Sequence, residues 1–284
     1  MPKRAFGRGR AARQFRRNKA AVVALCFLIV LAIVAIFAPL LAPMDPAAQD
    51  LRARLSGPSA DHLLGTDSFG RDVLSRLIYS TRVTLLAIIQ ALAIAVVVGI
   101  PLGVLAGSIG GTIDAVLSRI ADALLSMPPL ILALAIVGIL GPGLTNAMIA
   151  VGVILTPSMF RVSRSAATSV SSELYIEGCR AAGCNRRRLL GRHVLPNASS
   201  PMLVQVTFAA GIVIIAEASL SFLGLGVQPP DSSWGTMLND AFRNINQSPW
   251  FMFAPAMMIA LTILAFSTLG DGLRDALEGR GRHA

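Results

Sequence analysis

Val137-Gly138-Ile139-Leu140-Gly141-Pro142-Gly143-Leu144-Thr145-Asn146 lies within an apolar run that extends from Ala123 to Phe160. One membrane crossing needs roughly 20 residues, so the run has room for two. Gly141-Pro142-Gly143 breaks it near its middle, because proline lacks a backbone donor and glycine leaves the chain free to turn. That break decides between five crossings and six.

Outward from it, four further runs exceed the crossing length: Ala20 to Met44, Val83 to Ile113, His193 to Ala216 and Asn244 to Gly270. The expected helices are 20–42, 83–107, 116–139, 144–161, 202–224 and 251–272. Of the 284 residues, 54% are hydrophobic and 14% charged, far below the roughly 25% charged of a soluble domain. Continuous apolar runs contradict the alternation of a membrane β-barrel. The fold class is therefore all-α, a polytopic membrane protein of six helices. Residues 1–19 form a basic tail and residues 20–284 a single transmembrane domain.

Loops rich in Lys and Arg stay in the cytoplasm. Lys3, Arg4, Arg8, Arg10, Arg13, Arg16, Arg17 and Lys19 precede the first run with no acid among them. Six crossings put both termini, the second-to-third loop and the segment 161–201 on one side, with 19 of the 25 basic residues. That side is expected to be cytoplasmic. The net charge of +10 then reads as a topology signal with attraction to anionic lipid, not as nucleic-acid binding. The first apolar run is too long for a signal-peptide core, so a retained anchor is expected. Cys26 lies in a span, whereas Cys179 and Cys184 lie in the cytoplasmic segment, where thiols stay reduced; small-residue packing explains the pair better than metal does.

The outer segment 43–81 carries Leu64-Gly65-Thr66-Asp67-Ser68-Phe69-Gly70-Arg71-Asp72, which suits a tight turn and a helix starting near Asp72. Gly99, Gly103 and Gly107 recur every four residues and give one helix face without side chains, a surface for close packing. Pro101 suggests a kink, and 107–111 a short loop. Asp122 and Glu217 are acids inside the expected spans. Asp122 follows Arg119 by three residues and can pair with it on one helix face. Glu217 has no local partner and is the better candidate for a cavity-lining, path or inter-subunit group. The outer loop 225–250 has the length of a lid or docking surface.

Absent motifs narrow the chemistry. Lys3 and Lys19, both in the tail, are the only lysines, so no phosphate-cradling P-loop is present. His62, His193 and His283 form no His-Glu-x-x-His, and Ser158 has no span-borne histidine to activate it. No catalytic or metal-ligating residues are expected, and no bound cofactor.

The segment 161–201 remains, a polar, Arg-rich interruption between apolar runs. Ser171 or Ser172 can cap a helix, Glu173 favours its first turn, and Gly183 with Asn185 offers a stop. Tyr175, Cys179 and Ala182 fall on one face, and Glu177 and Arg180 form an i,i+3 pair. Arg186-Arg187-Arg188, Arg192 and His193 follow, and Pro196 ends the segment.

At these residues the chain resembles the integral-membrane permease subunits of bacterial ATP-binding-cassette importers. Their motif runs Glu-Ala-Ala, three residues, Gly, nine residues, Ile-x-Leu-Pro. Glu177, Gly183, Leu195 and Pro196 match it, Gly178 and Cys179 replace the alanines, and His193 takes the isoleucine position. With Leu64 to Asp72, and Glu217-Ala218-Ser219-Leu220-Ser221-Phe222-Leu223-Gly224-Leu225-Gly226, it is similar to the dipeptide, oligopeptide and nickel subfamily, and within it to the C-type permease. The resemblance runs from about residue 15 to the C-terminus. It implies a type I importer permease fold in a bacterial inner membrane. It also implies an ATPase-coupling helix comprising Tyr175, Glu177, Gly178, Cys179, Arg180, Ala181, Ala182 and Gly183, with His193, Leu195 and Pro196 beyond it.

The implied partners are a second homologous permease as heterodimer, two cytoplasmic ATPase domains or one fused ATPase chain, and an extracytoplasmic solute-binding protein. ATP and Mg would sit on the ATPases. Short peptides are the implied cargo, with nickel, haem or another small solute as alternatives. A stand-alone ion-coupled transporter would need midplane charge relays or repeated halves, and neither is evident.

Overall fold

A computed structural model describes residues 8–278, so Lys3, Arg4, Arg280, Arg282 and His283 lie outside the described residues. The elements in order are α1 (Arg8–Arg17), α2 (Lys19–Ile36), α3 (Ala38–Leu41), α4 (Val73–Ile109), α5 (Gly111–Leu125), α6 (Pro129–Leu140), α7 (Leu144–Ser171), α8 (Leu174–Ala181), α9 (Arg186–Leu189), α10 (Leu195–Phe222), α11 (Trp234–Arg243) and α12 (Phe253–Glu278). The described residues contain no strand, and the one β-bridge joins Thr66 to Asp72.

Five helical stretches are long and apolar enough to cross a bilayer: Lys19–Ile36, Val73–Ile109, Leu144–Ser171, Arg187–Phe222 and Pro249–Leu277. The expected single helix 116–139 is instead two, α5 and α6, bent by 92°. The cause is Met127-Pro128-Pro129. Each proline disfavours helical backbone in the residue before it, and Pro128 is extended, with φ −57° and ψ 126°, while Pro129 starts α6. The break at Gly141-Pro142-Gly143 is also present, with Gly141 at φ 88° and Gly143 at φ 142°.

Helix directions show that the bent pair counts as one crossing. Gly99 meets Thr156 and Met159, Gly103 meets Phe160 and Ser163, and Gly107 meets Arg164 and Thr168. Numbers rise together along both helices, so α4 and α7 are parallel, and α5 with α6 must carry the chain back between them. The glycine stripe is what permits the approach. A Cβ on Gly99 would stand 2.8 Å from the Thr156 carbonyl oxygen, well inside van der Waals contact. Ser163 Oγ donates to the Gly99 carbonyl at 3.3 Å, and Thr168 Oγ1 to that of Gly107 at 3.2 Å. The expected loop 107–111 shrinks to a turn at Gly110, φ 70°.

The remaining helices alternate in direction. Gln205 Nε2 donates to Ser158 Oγ at 2.9 Å, and the Gly143 amide reaches the Leu225 carbonyl at 3.1 Å, which sets α10 antiparallel to α7. Gly211 faces Ile263 and Gly270 faces Thr207, so α12 is antiparallel to α10; Gly272 then packs on Ala21 at the start of α2. The start of α2, the Gly110 turn, α8 and the end of α12 therefore share one end of the bundle. The core between them is built of small and branched residues, including Ala91, Ala147, Met148, Val151, Val213 and Ile214.

The opposite end is closed by the Leu64–Asp72 turn and α11. Asp72 caps α4 as the sequence suggests, its Oδ2 accepting from the Ser75 amide at 2.8 Å and from Ser75 Oγ at 2.7 Å. Asp67 is fully buried and accepts from the amides of Phe69 and Arg71 at 2.8 and 2.9 Å, from Arg71 Nε at 2.7 Å, and from buried Arg76. Ser68 Oγ donates to Asp240 of α11 at 2.7 Å, which ties the turn to the helix above the bundle.

Candidate functional site

The end opposite α11 carries α8, the element built from the segment that sequence reading singles out. α7 runs on to Ser171, and Ser172 closes it rather than capping α8; the Glu173 amide bonds the Val170 carbonyl at 3.2 Å, turning the chain sharply. α8 then ends at a glycine cap. Gly183 has φ 77°, the Ala182 amide bonds the Gly178 carbonyl at 3.0 Å, and the Cys184 amide bonds that of Cys179 at 3.0 Å. This pair of features is a Schellman cap with Gly183 in the left-handed position.

The face that α8 buries is not the one centred on Tyr175, Cys179 and Ala182. Ile176 is fully buried and Cys179 half-buried, whereas Tyr175 and Ala182 are exposed. Ile176 enters a cluster with Val104 of α4, Ala167 of α7, and Leu189, Val194, Ala198 and Met202. It thus anchors α8 where three membrane helices meet. Residues 190–194 make that cluster continuous. They form a π turn in which the Leu195 amide bonds the Leu190 carbonyl. One added residue in the turn rotates the helix so that Leu189, Val194, Ala198 and Met202 line up inward. Leu195 and Pro196 consequently point outward, and His193 is half-buried.

A second tie joins the two motif segments. Asn197 Nδ2 donates to Tyr175 Oη at 3.1 Å and to the His193 carbonyl at 2.7 Å. Partial desolvation of its hydroxyl, with the Glu173 carboxylate nearby, raises the Tyr175 phenol, and partial desolvation beside Cys184 likewise raises the Cys179 thiol. Ile176 and Asn197 were not among the expected site residues. The spacing of Leu189, Val194, Ala198 and Met202 was the available signal, but it fits no regular helix until the π turn is known.

The outward face of α8 presents Leu174, 82% exposed, with Glu177, Gly178 and Ala181, all exposed. Apart from Leu174 and Glu177 it is a surface of small residues that another protein can approach closely. No atom lies within 4 Å of a Cβ built on Gly178 or Gly183. Space therefore requires neither glycine; backbone conformation requires Gly183 alone. The Arg180 side chain, half of the expected Glu177 pair, lies outside the described residues.

The other two candidates, Asp122 and Glu217, lie outside α8, on α5 and α10. Asp122 pairs not with Arg119 but with Arg161 of α7 at 2.6 Å, both half-exposed. Together with Asp114 and Arg164, whose Nη2 to Oδ2 distance is 2.6 Å, this pair fastens α5 to α7. Glu217 is 1% exposed, inside the bundle near its α11 end. Its Oε1 accepts from Ser221 Oγ at 2.7 Å, Ser233 lies beside the carboxyl, and Oε2 has no donor in hydrogen-bonding geometry among the described residues. Among the described residues no group of three or more His, Cys, Asp or Glu side chains could hold a metal ion.

Comparison with known proteins follows the same layout. Residues 99–283 match the family model described as binding-protein-dependent transport system inner membrane component. Residues 8–58 match the N-terminal TM domain of oligopeptide transport permease C. A dipeptide transport system permease protein of Alkalihalophilus pseudofirmus is 42% identical over 94% of this chain and 88% of its own. A di/tripeptide transport system permease protein of Pseudomonas aeruginosa is 41% identical over 95% and 91%. A glutathione transport system permease protein of Shigella flexneri is 44% identical over 94% and 88%.

Proposed function

The chain belongs to the family of binding-protein-dependent transport system inner membrane components, and from that premise we propose that α8 is the point at which a cytoplasmic ATPase moves a path for short peptides. Membership makes it a membrane permease subunit of an ATP-binding-cassette importer, which works with ATPase and solute-binding partners. The observation that carries the rest is the two-sided character of α8. Inward, Ile176 is locked among α4, α7 and α10; outward, Leu174, Glu177, Gly178 and Ala181 are open. A force applied to the outer face reaches three membrane helices through one buried side chain and the Tyr175–Asn197 tie. Closing and opening of such packed helices is a rigid-body motion of the kind that gates transport paths.

The α8 end is cytoplasmic in this reading, in keeping with its share of basic residues. ATP and Mg are held by the ATPases, as two chains or one fused chain, and this chain does no hydrolysis. Six crossings are too few to enclose a peptide, so a second homologous permease completes the path as a heterodimer. The α11 end faces the solute-binding protein. Relatives named for dipeptides, di/tripeptides and glutathione all point to short peptides as cargo.

The test uses Gly178→Trp and Ala181→Trp in the complete transporter. Among the described residues no neighbour lies within 4 Å of a Cβ at Gly178, and Ala181 is exposed, so both positions point added bulk away from the permease's own packing. Co-purification of the ATPases should fall tenfold or more while membrane insertion is unchanged, and uptake of labelled dipeptide by cells should be lost. Full ATPase recovery with normal uptake would sink the docking assignment.

A further inference from the structure

We propose that Cys179 and Cys184, reduced in the resting cytoplasm, form a dithiol site that closes transiently into a local disulfide across the C-terminal cap of α8 by exchange when low-molecular-weight disulfides accumulate. The argument starts from Gly183. Its left-handed backbone reverses the chain so that the amide of Cys184 meets the carbonyl of Cys179 at 3.0 Å. In a Schellman cap these two positions, third from the helix end and second beyond it, bring their side chains into contact. A bond of that length between their peptide groups also places the two Cα atoms inside the span a disulfide bridges, about 4.4–6.8 Å. Both residues are half-buried, hence reachable. Cys26, in contrast, stands in α2 far along the chain.

The exchange assigns separate parts to the two thiols. Cys184 gives up its proton and attacks one sulfur of a reagent RSSR; the S–S bond of the reagent breaks and the first RSH leaves. Cys179, on the last turn of α8, is the resolving group. It loses its proton, attacks the Cys184 sulfur, and displaces the second RSH. The protein dithiol is oxidised by two electrons and RSSR is reduced to two RSH. The bridge fixes Gly183 and staples the end of α8 to the short link leading into α9. The outer face beside Ala181 and Ala182 then loses the freedom to adjust when a partner docks. This functional consequence rests on the ATPase-docking reading; the disulfide itself does not.

The experiment treats the assembled transporter with 2-hydroxyethyl disulfide and follows the peptide spanning residues 174–186 by mass spectrometry. Wild type is expected to lose two hydrogens with no adduct. Cys179→Ser should retain a stable hydroxyethylthio adduct on Cys184, and Cys184→Ser should slow modification of Cys179 tenfold or more. Stable adducts on both cysteines of wild type, or two thiols still open to iodoacetamide, would overturn the site. Substrate-stimulated ATPase activity should fall at least twofold on closure and return with dithiothreitol. Unchanged activity with the bridge formed would remove its control over coupling. Failure of the ATPases to assemble on α8 at all would strike the docking reading and leave the mass result standing.

Discussion

Replacing Gly99 by alanine should separate α4 from α7, although it adds one methyl group to an apolar helix. The added Cβ would lie 2.7 Å from Met159 Cβ and 2.8 Å from the Thr156 carbonyl oxygen. The methionine can shift by rotating about its own side chain bonds only beyond Cβ, and the carbonyl belongs to helix backbone, so neither yields cheaply. Ordinary contact begins near 3.4 Å, which means the helices must part locally by about 0.6 Å, the shortfall at the carbonyl. That movement weakens the Ser163 hydrogen bond to the Gly99 carbonyl, already 3.3 Å long. Overpacking of this kind costs about 1–3 kcal/mol. A loss near the middle of that range, about 2 kcal/mol, lowers a melting midpoint by roughly 4–8 °C. Gly138→Ala is the matched control, because nothing lies within 4 Å of a Cβ there and its backbone is ordinary. Thermal unfolding of the two variants in one detergent reads the difference. Equal midpoints for Gly99→Ala and Gly138→Ala would refute the inference that the glycine stripe sets the distance between α4 and α7.

The other predictions concern both ends of the bundle. Asn197→Ala removes the tie to Tyr175, worth about 0.5–1.5 kcal/mol, and hydrogen exchange of the α8 amides should accelerate by about 2- to 10-fold. Gly178→Ala should stabilise α8 by about 1 kcal/mol, since it meets no neighbour. Gly183→Ala should destabilise it by about 1–2 kcal/mol through its positive φ; exchange at the same amides distinguishes the pair. Asp67→Asn leaves buried Arg76 without its closest carboxylate, at a cost of about 3–5 kcal/mol. Detergent-solubilised yield should drop, and adding Arg76→Met should recover part of it.

The number of crossings was legible because each apolar run exceeds the bilayer thickness and Gly141-Pro142-Gly143 is an unambiguous stop. The bend inside the third crossing was passed over, although Met127-Pro128-Pro129 carried the signal, because apolar character continues across it and hydropathy does not register backbone geometry. Asp122 was matched to Arg119 on local spacing, whereas its partner lies on another helix, where only tertiary packing brings Arg161 alongside. The Asp72 cap and the glycine stripe were both readable, since a cap and a bare helix face are local properties of the chain.

The α8 region divides the same way. Gly183 as helix stop, the motif positions and the polar character of the segment follow from residue chemistry within a few residues. Which side of α8 faces inward does not, because a short helix of mixed polarity offers two workable faces. Three membrane helices meeting at Val104, Ala167 and Ala198 chose Ile176, and the π turn at 190–194 shifted the inward line by one residue. Sequence by itself determined that this chain crosses a membrane and sets a short polar helix between two crossings. Tertiary structure decided which side chain anchors that helix to the bundle, since burial is a property of what surrounds a residue and not of the residue alone.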